Sequence, residues 1–254
     1  MWNRFPDAIL FAGGTEHLHL QGQRLVHLSG MVLFLDKLDD IQKITRTERY
    51  LELGAMVRLS TIRSLGKAVP EILVQCLEHL ADPYIREIAT IGGNIACNGD
   101  LNAPFLALDA QYEVRSGAST RWISYSRLFS PKSMLEPQTL LSRIRIPLGQ
   151  WNYHRYNKFE SPIIGDRASV CVIIARIEKD MIVDIRLVIT ASDRYFRNRE
   201  HERILAGKHL PISQQDFYSF IDHWKESLSK SDFRSFVQKN IIDFLESNLL
   251  ELCD

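Results

Sequence analysis

The chain has no surplus charge, no closely spaced cysteines and no long apolar run, and each absence removes a class of protein. Its 31 basic residues balance 31 acidic ones, so nothing draws it to nucleic acid or to an anionic lipid surface. Four cysteines stand at 76, 97, 171 and 253. That scatter argues against a zinc pair, a disulfide framework or an iron–sulfur cluster within the chain, since each needs thiols held close together. Inert thiols are expected, with Cys97 the one placed to see solvent. The longest apolar run is "VCVIIA", Val170 to Ala175, far short of the roughly 20 residues that cross a bilayer. The opening "MWNRFPDAILFAGG" meets glycine before a signal-like core builds up, so a cytoplasmic protein is expected. The eight histidines show no metal-ligand spacing beyond the i, i+2 pair His17 and His19.

What remains is an ordinary soluble composition, 45% hydrophobic and 24% charged over 254 residues, enough for one large domain or two modest ones. "DAILFA" (7–12) reads as a buried strand delivering the chain to a glycine loop, and "YLELGAMV" (50–57) as a second strand. "TIRSLGKAVPEILVQCLEHLA" has helical spacing, with Ile72, Leu73, Cys76, Leu77 and Leu80 on one stripe. "LLSRIRIP" (140–147) alternates like a strand closed by proline, and a domain boundary is expected near Gly149. Beyond it, "ASVCVIIARIE", a turn at Lys179 and Asp180, and "MIVDIRLVIT" read as antiparallel strands of a second sheet. "RNREHERILAG" and the chain from Ser213 onward read as helices. The charged run "RYFRNREHER" reads as a solvated helix face or a docking surface.

Two glycine pairs stand out, in "FAGGTE" (11–16) and "TIGGN" (90–94). Glycine reaches positive φ freely and keeps no side chain between backbone and ligand, so successive amides can converge on a phosphate. Thr15, Thr90 and Asn94 would add polar groups. Neither loop fits a P-loop or a dinucleotide fingerprint, because the lysine and the glycine spacing are both missing. One pyrophosphate held between two separate loops is the better reading, against the plainer one that each pair is a tight turn.

In order along the chain, "AGGTEHL", "LELGAMVRLSTI", "IREIATIGGNIA", "GDLNAPFLALDA", "LLSRIRIP" and "RNREHERILAGKHL" resemble the flavoprotein subunit or domain of the molybdenum hydroxylases. Xanthine dehydrogenase and aerobic carbon monoxide dehydrogenase belong to that family. The resemblance implies an α+β fold, with a two-subdomain FAD-binding domain of the vanillyl-alcohol-oxidase type over 1–149. A small α/β C-terminal domain with an antiparallel sheet would occupy 150–254. It also implies that Leu10, Phe11, Ala12, Gly13, Gly14, Thr15, Glu16 and His17 form the first pyrophosphate loop. Thr90, Ile91, Gly92, Gly93 and Asn94 would form the second. Asp100 would be a polar cofactor contact, Leu141 an apolar contact to the flavin nucleotide, and Lys158 the cation near the isoalloxazine ring. An iron–sulfur subunit with [2Fe–2S] clusters and a large molybdopterin subunit would be partners, with NAD or oxygen taking the electrons.

The chain departs from the family pattern in three places. Less sequence precedes the first glycine pair, Glu16 stands where many relatives have Asp or Asn, and only "IACNG" joins Asn94 to Asp100. On the residues alone, Asp100 could instead cap a helix beginning near Pro104, and Lys158 could be a solvated strand lysine. A stand-alone flavin reductase and a scaffold that has lost FAD are the alternatives to an electron-transfer subunit.

Overall fold

The computed structural model describes residues 5, 7–21, 27–28, 30–124, 126, 139–162, 167–191 and 194–253. The chain divides into two compact units, Met1–Gly149 and Gln150–Asp254.

The first unit opens on strand β1 (Ile9–Phe11), helix α1 (Thr15–Gln21) and strand β2 (Val32–Phe34). The two strands pair in parallel, Ile9 opposite Val32 and Phe11 opposite Phe34. "DAILFA" is therefore a strand, but a half-buried one: Ala8 is buried, while Ile9, Leu10 and Phe11 are only partly covered. A two-stranded sheet has too little neighbouring surface to enclose both faces. After a single 3₁₀ turn at Asp39–Ile41 come β3 (Ile44–Arg46) and β4 (Tyr50–Gly54), then β5 (Gln111–Ser116), β6 (Ser119–Ser124) and β7 (Leu140–Pro147). They form one antiparallel sheet ordered β3-β4-β7-β5-β6. Alternation sets its faces: Leu51, Leu53, Tyr112, Val114, Ile144 and Ile146 are buried, while Glu52, Trp122 and Arg145 lie between them on the other side. Arg145 there stacks 3.9 Å from the Trp122 ring and donates to Glu52 at 2.7 Å.

Between β4 and β5 run five helices, α2 (Leu59–Ser64), α3 (Glu71–His79), α4 (Pro83–Ile88), α5 (Ile91–Ala96) and α6 (Asn102–Ala107). The helical spacing over 61–81 thus resolves into α2, a 3₁₀ turn at Gly66–Ala68 and α3. Pro70 cannot donate within a helix, so the break falls just before α3. The stripe of Ile72, Leu73, Cys76, Leu77 and Leu80 is buried as the spacing requires.

In the second unit, β8 (Tyr153–Phe159), β9 (Ser169–Glu178), β10 (Met181–Ala191) and β11 (Arg194–Phe196) make an antiparallel sheet ordered β11-β10-β9-β8. Lys179 and Asp180 join β9 to β10 with φ of 50° and 57°, the left-handed pair that a two-residue hairpin turn requires. Three helices follow: α7 (Arg199–Leu205), α8 (Gln214–Ser229) and α9 (Ser235–Leu250). Cys171, Ile173, Ile185 and Leu187 of the sheet share one apolar core with Phe220, Trp224, Phe244 and Leu245 of α8 and α9.

The run "RYFRNREHER" is not a solvated helix face. Its first part is strand β11, and in α7 both His201 and Glu202 are buried. Glu202 accepts from Arg197 Nε at 2.8 Å and from the Leu187 amide at 3.1 Å. That amide lies on the β10 edge just past the last β11 pair, Ile189 with Phe196, so the carboxylate supplies the acceptor a longer β11 would have given. Charge patterning along the sequence cannot reveal an internal acceptor of this kind.

Candidate cofactor site

The chain leaves β1 at Phe11, turns through Ala12, Gly13 and Gly14, and enters α1 at Thr15. Gly14 has φ +70°, and a Cβ there would stand 2.4 Å from the Phe11 ring. The same ring stacks on His17, with centroids 5.8 Å apart and planes 7° apart, and meets Phe34 edge-on at 5.2 Å. A Cβ on Gly13 would lie 2.2 Å from the Ile88 carbonyl oxygen and 3.3 Å from Ala89 Cα. The first glycine loop is thus pressed against the backbone at Ile88 and Ala89, just before the second pair.

The second pair sits in a helix, which corrects the expectation of an open loop. Thr90 caps α5 through its hydroxyl, which accepts from the Gly93 amide at 3.1 Å. Gly92 and Gly93 both lie within α5 and neither has positive φ. Their amides do not converge on open space. Ile91 N donates to Val57 O at 3.0 Å, Gly92 N to Ala55 O at 2.8 Å and Gly93 N to Thr90 Oγ1. The orphan donors of this helix start are therefore satisfied by the chain just after β4 and by the cap. Gly92 is glycine because a Cβ would meet Ala55 Cβ at 2.7 Å and Ala55 O at 2.8 Å; Gly93, one residue on, would meet only Thr90 Oγ1, at 3.1 Å. In the first loop, by contrast, the amides of Gly13, Gly14 and Thr15 have no hydrogen-bond partner among the described residues. The two pairs differ in what they can offer an anion.

Asn94 closes the short connection to α6. Its carbonyl accepts from Gly99 N at 2.8 Å and its Oδ1 from Leu101 N at 3.2 Å. Asn98, at φ 55°, ends the helix in the left-handed conformation. Asp100 is half-buried in this turn, and α6 starts at Asn102 with Leu101 in the capping position. Asp100 is therefore not the cap of a helix near Pro104. Cys97 is half-buried, its thiol donating to the Asn94 carbonyl at 3.4 Å. Glu16 and His17 lie in the first turn of α1, both half-buried, and His19 follows in the same helix. Among the described residues no group of three or more His, Cys, Asp or Glu side chains could hold a metal ion.

Leu141 is buried in β7 opposite Val114, beside an irregularity in the β5 pairing between Glu113 and Val114. Lys158 lies in β8 of the second unit, opposite Val170, and pairs with Glu160 at 3.3 Å with its own side chain 23% exposed. It is a paired, mostly covered lysine and not a solvated one.

Sequence reasoning missed two polar devices. Arg86 is buried and donates to the carbonyls of Leu80 and Ala81, 2.9 and 2.6 Å away, tying α4 to the end of α3. Glu113 is buried at the β5–β7 irregularity, where Ser142 Oγ donates to it at 2.6 Å and Arg115 Nε at 3.1 Å. A lone Arg or Glu in an amphipathic segment carries no mark of burial.

Against known proteins, residues 1–149 match the sequence model of a family described as the FAD binding domain in molybdopterin dehydrogenase. The chain belongs to that family. This FAD-binding domain and its flanking unit are 27% identical over 217 residues to the nicotine 6-hydroxylase medium subunit of Paenarthrobacter nicotinovorans, covering 80% of this chain and 74% of that one. The xanthine dehydrogenase FAD-binding subunit of Escherichia coli O157:H7 is 31% identical over 128 residues, 46% of this chain and 42% of its own length. Among solved structures, carbon monoxide dehydrogenase of Hydrogenophaga pseudoflava superposes with a TM-score of 0.81 at 20% identity, covering 97% of this chain and 89% of that one. The α+β fold that the resemblance implied is therefore the fold of this family, and its relatives are subunits of oxidoreductases. No helix among the described residues is long and apolar enough to cross a membrane.

Proposed function

We propose that this chain binds FAD on the loop Leu10–His17 where it meets the segment Thr90–Asn94, and serves as the flavin subunit of a molybdenum hydroxylase complex in the cytoplasm. The observation that carries this reading is the contact of Gly13 with the Ile88 carbonyl, which brings the two family motifs together. The residues fit a pyrophosphate on one side: the amides of Gly13, Gly14 and Thr15 are the donors available to phosphate oxygens. The Thr90–Asn94 segment then contributes shape, with the unencumbered Cα of Gly93 allowing close approach. Asp100 and Leu141 are assigned polar and apolar contacts to the cofactor on the family pattern. Bound FAD would supply transfer of electrons one or two at a time. Lys158 is assigned the cation that stabilises the anionic reduced flavin.

In this reading residues 150–254 are the C-terminal domain of the carbon monoxide dehydrogenase flavoprotein type. Partner subunits carry the [2Fe–2S] clusters and the molybdopterin, and NAD or oxygen takes the electrons from this chain. A scaffold without FAD is favoured by one observation, the engagement of the Ile91, Gly92 and Gly93 amides within the protein. One experiment separates the two. Purified chain incubated with FAD and desalted is expected to keep one flavin per chain, seen in the visible spectrum and after acid extraction. A colourless, correctly folded protein would establish the scaffold instead.

A further inference from the structure

The face that α7 turns toward α8 carries a buried histidine that the cofactor reading does not use. His201 is 6% exposed. Its ring lies 5.3 Å from Trp224 and 6.1 Å from His223, both on α8, and 6.5 Å from Phe196 of β11. Nε2 is 3.0 Å from Ser227 Oγ, also on α8. Two buried nitrogens in this cluster, His201 Nδ1 and Trp224 Nε1, have no hydrogen-bond partner among the described residues. On its other side α7 is held independently, because Glu202 binds the Leu187 amide of β10 and the Arg197 guanidinium. The α7–α8 joint and the α7–β10 joint are thus closed by neighbouring residues of one helix, and only one of the two contains a group that titrates near neutrality.

We propose that His201 is a proton-operated latch: as neutral imidazole it closes α7 onto α8 through Ser227, and as imidazolium it opens that joint while Glu202 keeps α7 on the sheet. The charged groups around it set the balance. Glu200 on α7 and Glu226 on α8 favour the imidazolium, but Glu226 is already paired with Lys230 at 2.6 Å. Against them stand the burial of the ring beside Trp224 and the like charge of His223. Burial is the larger effect, and together they hold the His201 pKa below its ordinary value. The sign follows by linkage. As pH falls below about 6.5, the unfolded chain takes up a proton that the closed joint refuses, so stability drops on the acid side and is restored above it.

The test uses the full chain, with wild type and His201→Gln compared from about pH 8 to about pH 5, the span across the ordinary histidine value. Thermal denaturation reports stability. Tryptophan emission, taken as the difference from Trp224→Phe, reports the joint, since an imidazolium beside an indole quenches it. Wild type is expected to lose Tm as pH falls on the acid side, and Trp224 emission should fall in the same step. His201→Gln should show neither change. In a His223→Gln protein, which lacks the opposing charge, the step should move to higher pH. An acid profile in His201→Gln that overlays wild type would overturn the latch. If that variant does not fold, His223→Gln decides alone, and a step that stays in place overturns it.

Discussion

Gly92 and Gly93 are adjacent in one helix, yet the structure assigns them different responses to the same substitution. In Gly92→Ala the new methyl would sit 2.7 Å from Ala55 Cβ and 2.8 Å from Ala55 O, about 1 Å inside ordinary carbon contact distance. Neither side can give way cheaply. The Gly92 amide is already bonded to that same Ala55 carbonyl at 2.8 Å, so separation weakens a hydrogen bond of about 1 kcal/mol. Overpacking adds about 1–3 kcal/mol, and removing a helical glycine returns about 0.5–1 kcal/mol. The net loss is about 2 kcal/mol, or about 4–8 °C of Tm for a unit of this size. In Gly93→Ala the only close atom is Thr90 Oγ1 at 3.1 Å, which must give by only a few tenths of an ångström while replacing a helical glycine returns about 0.5–1 kcal/mol, so stability should stay within about 0.5 kcal/mol of wild type. Both values come from thermal and chemical denaturation of the protein without added FAD. Gly93→Val then separates stability from binding: its fold should persist while, on the proposed function, FAD retention is lost, because the branched side chain would stand where the cofactor is proposed to approach. Equal Tm values for Gly92→Ala and Gly93→Ala would refute the packing of α5 on the end of β4, and full flavin content in Gly93→Val would refute the place of α5 in the cofactor site.

Two further outcomes follow from the second unit. Glu202→Ala removes the acceptor shared by the Leu187 amide and Arg197, whose side chain is only 11% exposed. It should cost about 3 kcal/mol in urea denaturation, and a loss below about 0.5 kcal/mol, the range of a surface change, would contradict the buried bond. Tyr153 donates its hydroxyl to the Asn248 carbonyl at 2.5 Å, and burial, against the opposing Arg155 charge, pushes its pKa from 10.0 up to about 12. Because the folded value lies above the unfolded one, the stability it contributes is complete below about pH 10. That contribution is lost as pH rises through about 12. The difference between wild type and Tyr153→Phe, in phenolate absorbance and in stability, should show that alkaline step; superimposable curves would exclude it.

Much of the fold was legible in the residues because its signals are local. The alternation of "LLSRIRIP" places Ile144 and Ile146 inside, the stripe on α3 is buried, and Lys179–Asp180 form the expected turn. The motifs in their order also reached the family. The candidate site was named as a set of positions, but the local structure at those positions was not legible. "TIGGN" reads the same whether its amides face a ligand or a neighbouring carbonyl, and only the position of Ala55 and Val57 after β4 decides that.

The sequence by itself determined where most of the strands lie and which stripe of α3 is apolar. These follow from side-chain periodicity and backbone freedom, which are properties of short stretches. Tertiary structure alone decided that Gly13 backs onto Ile88, that the first amides of α5 are engaged while those of Gly13, Gly14 and Thr15 have no partner among the described residues, and that Glu202 and His201 lie inside. The physical reason is that a buried polar group is defined by its partner, and the partners here come from residues distant in the chain or from backbone atoms that every residue shares.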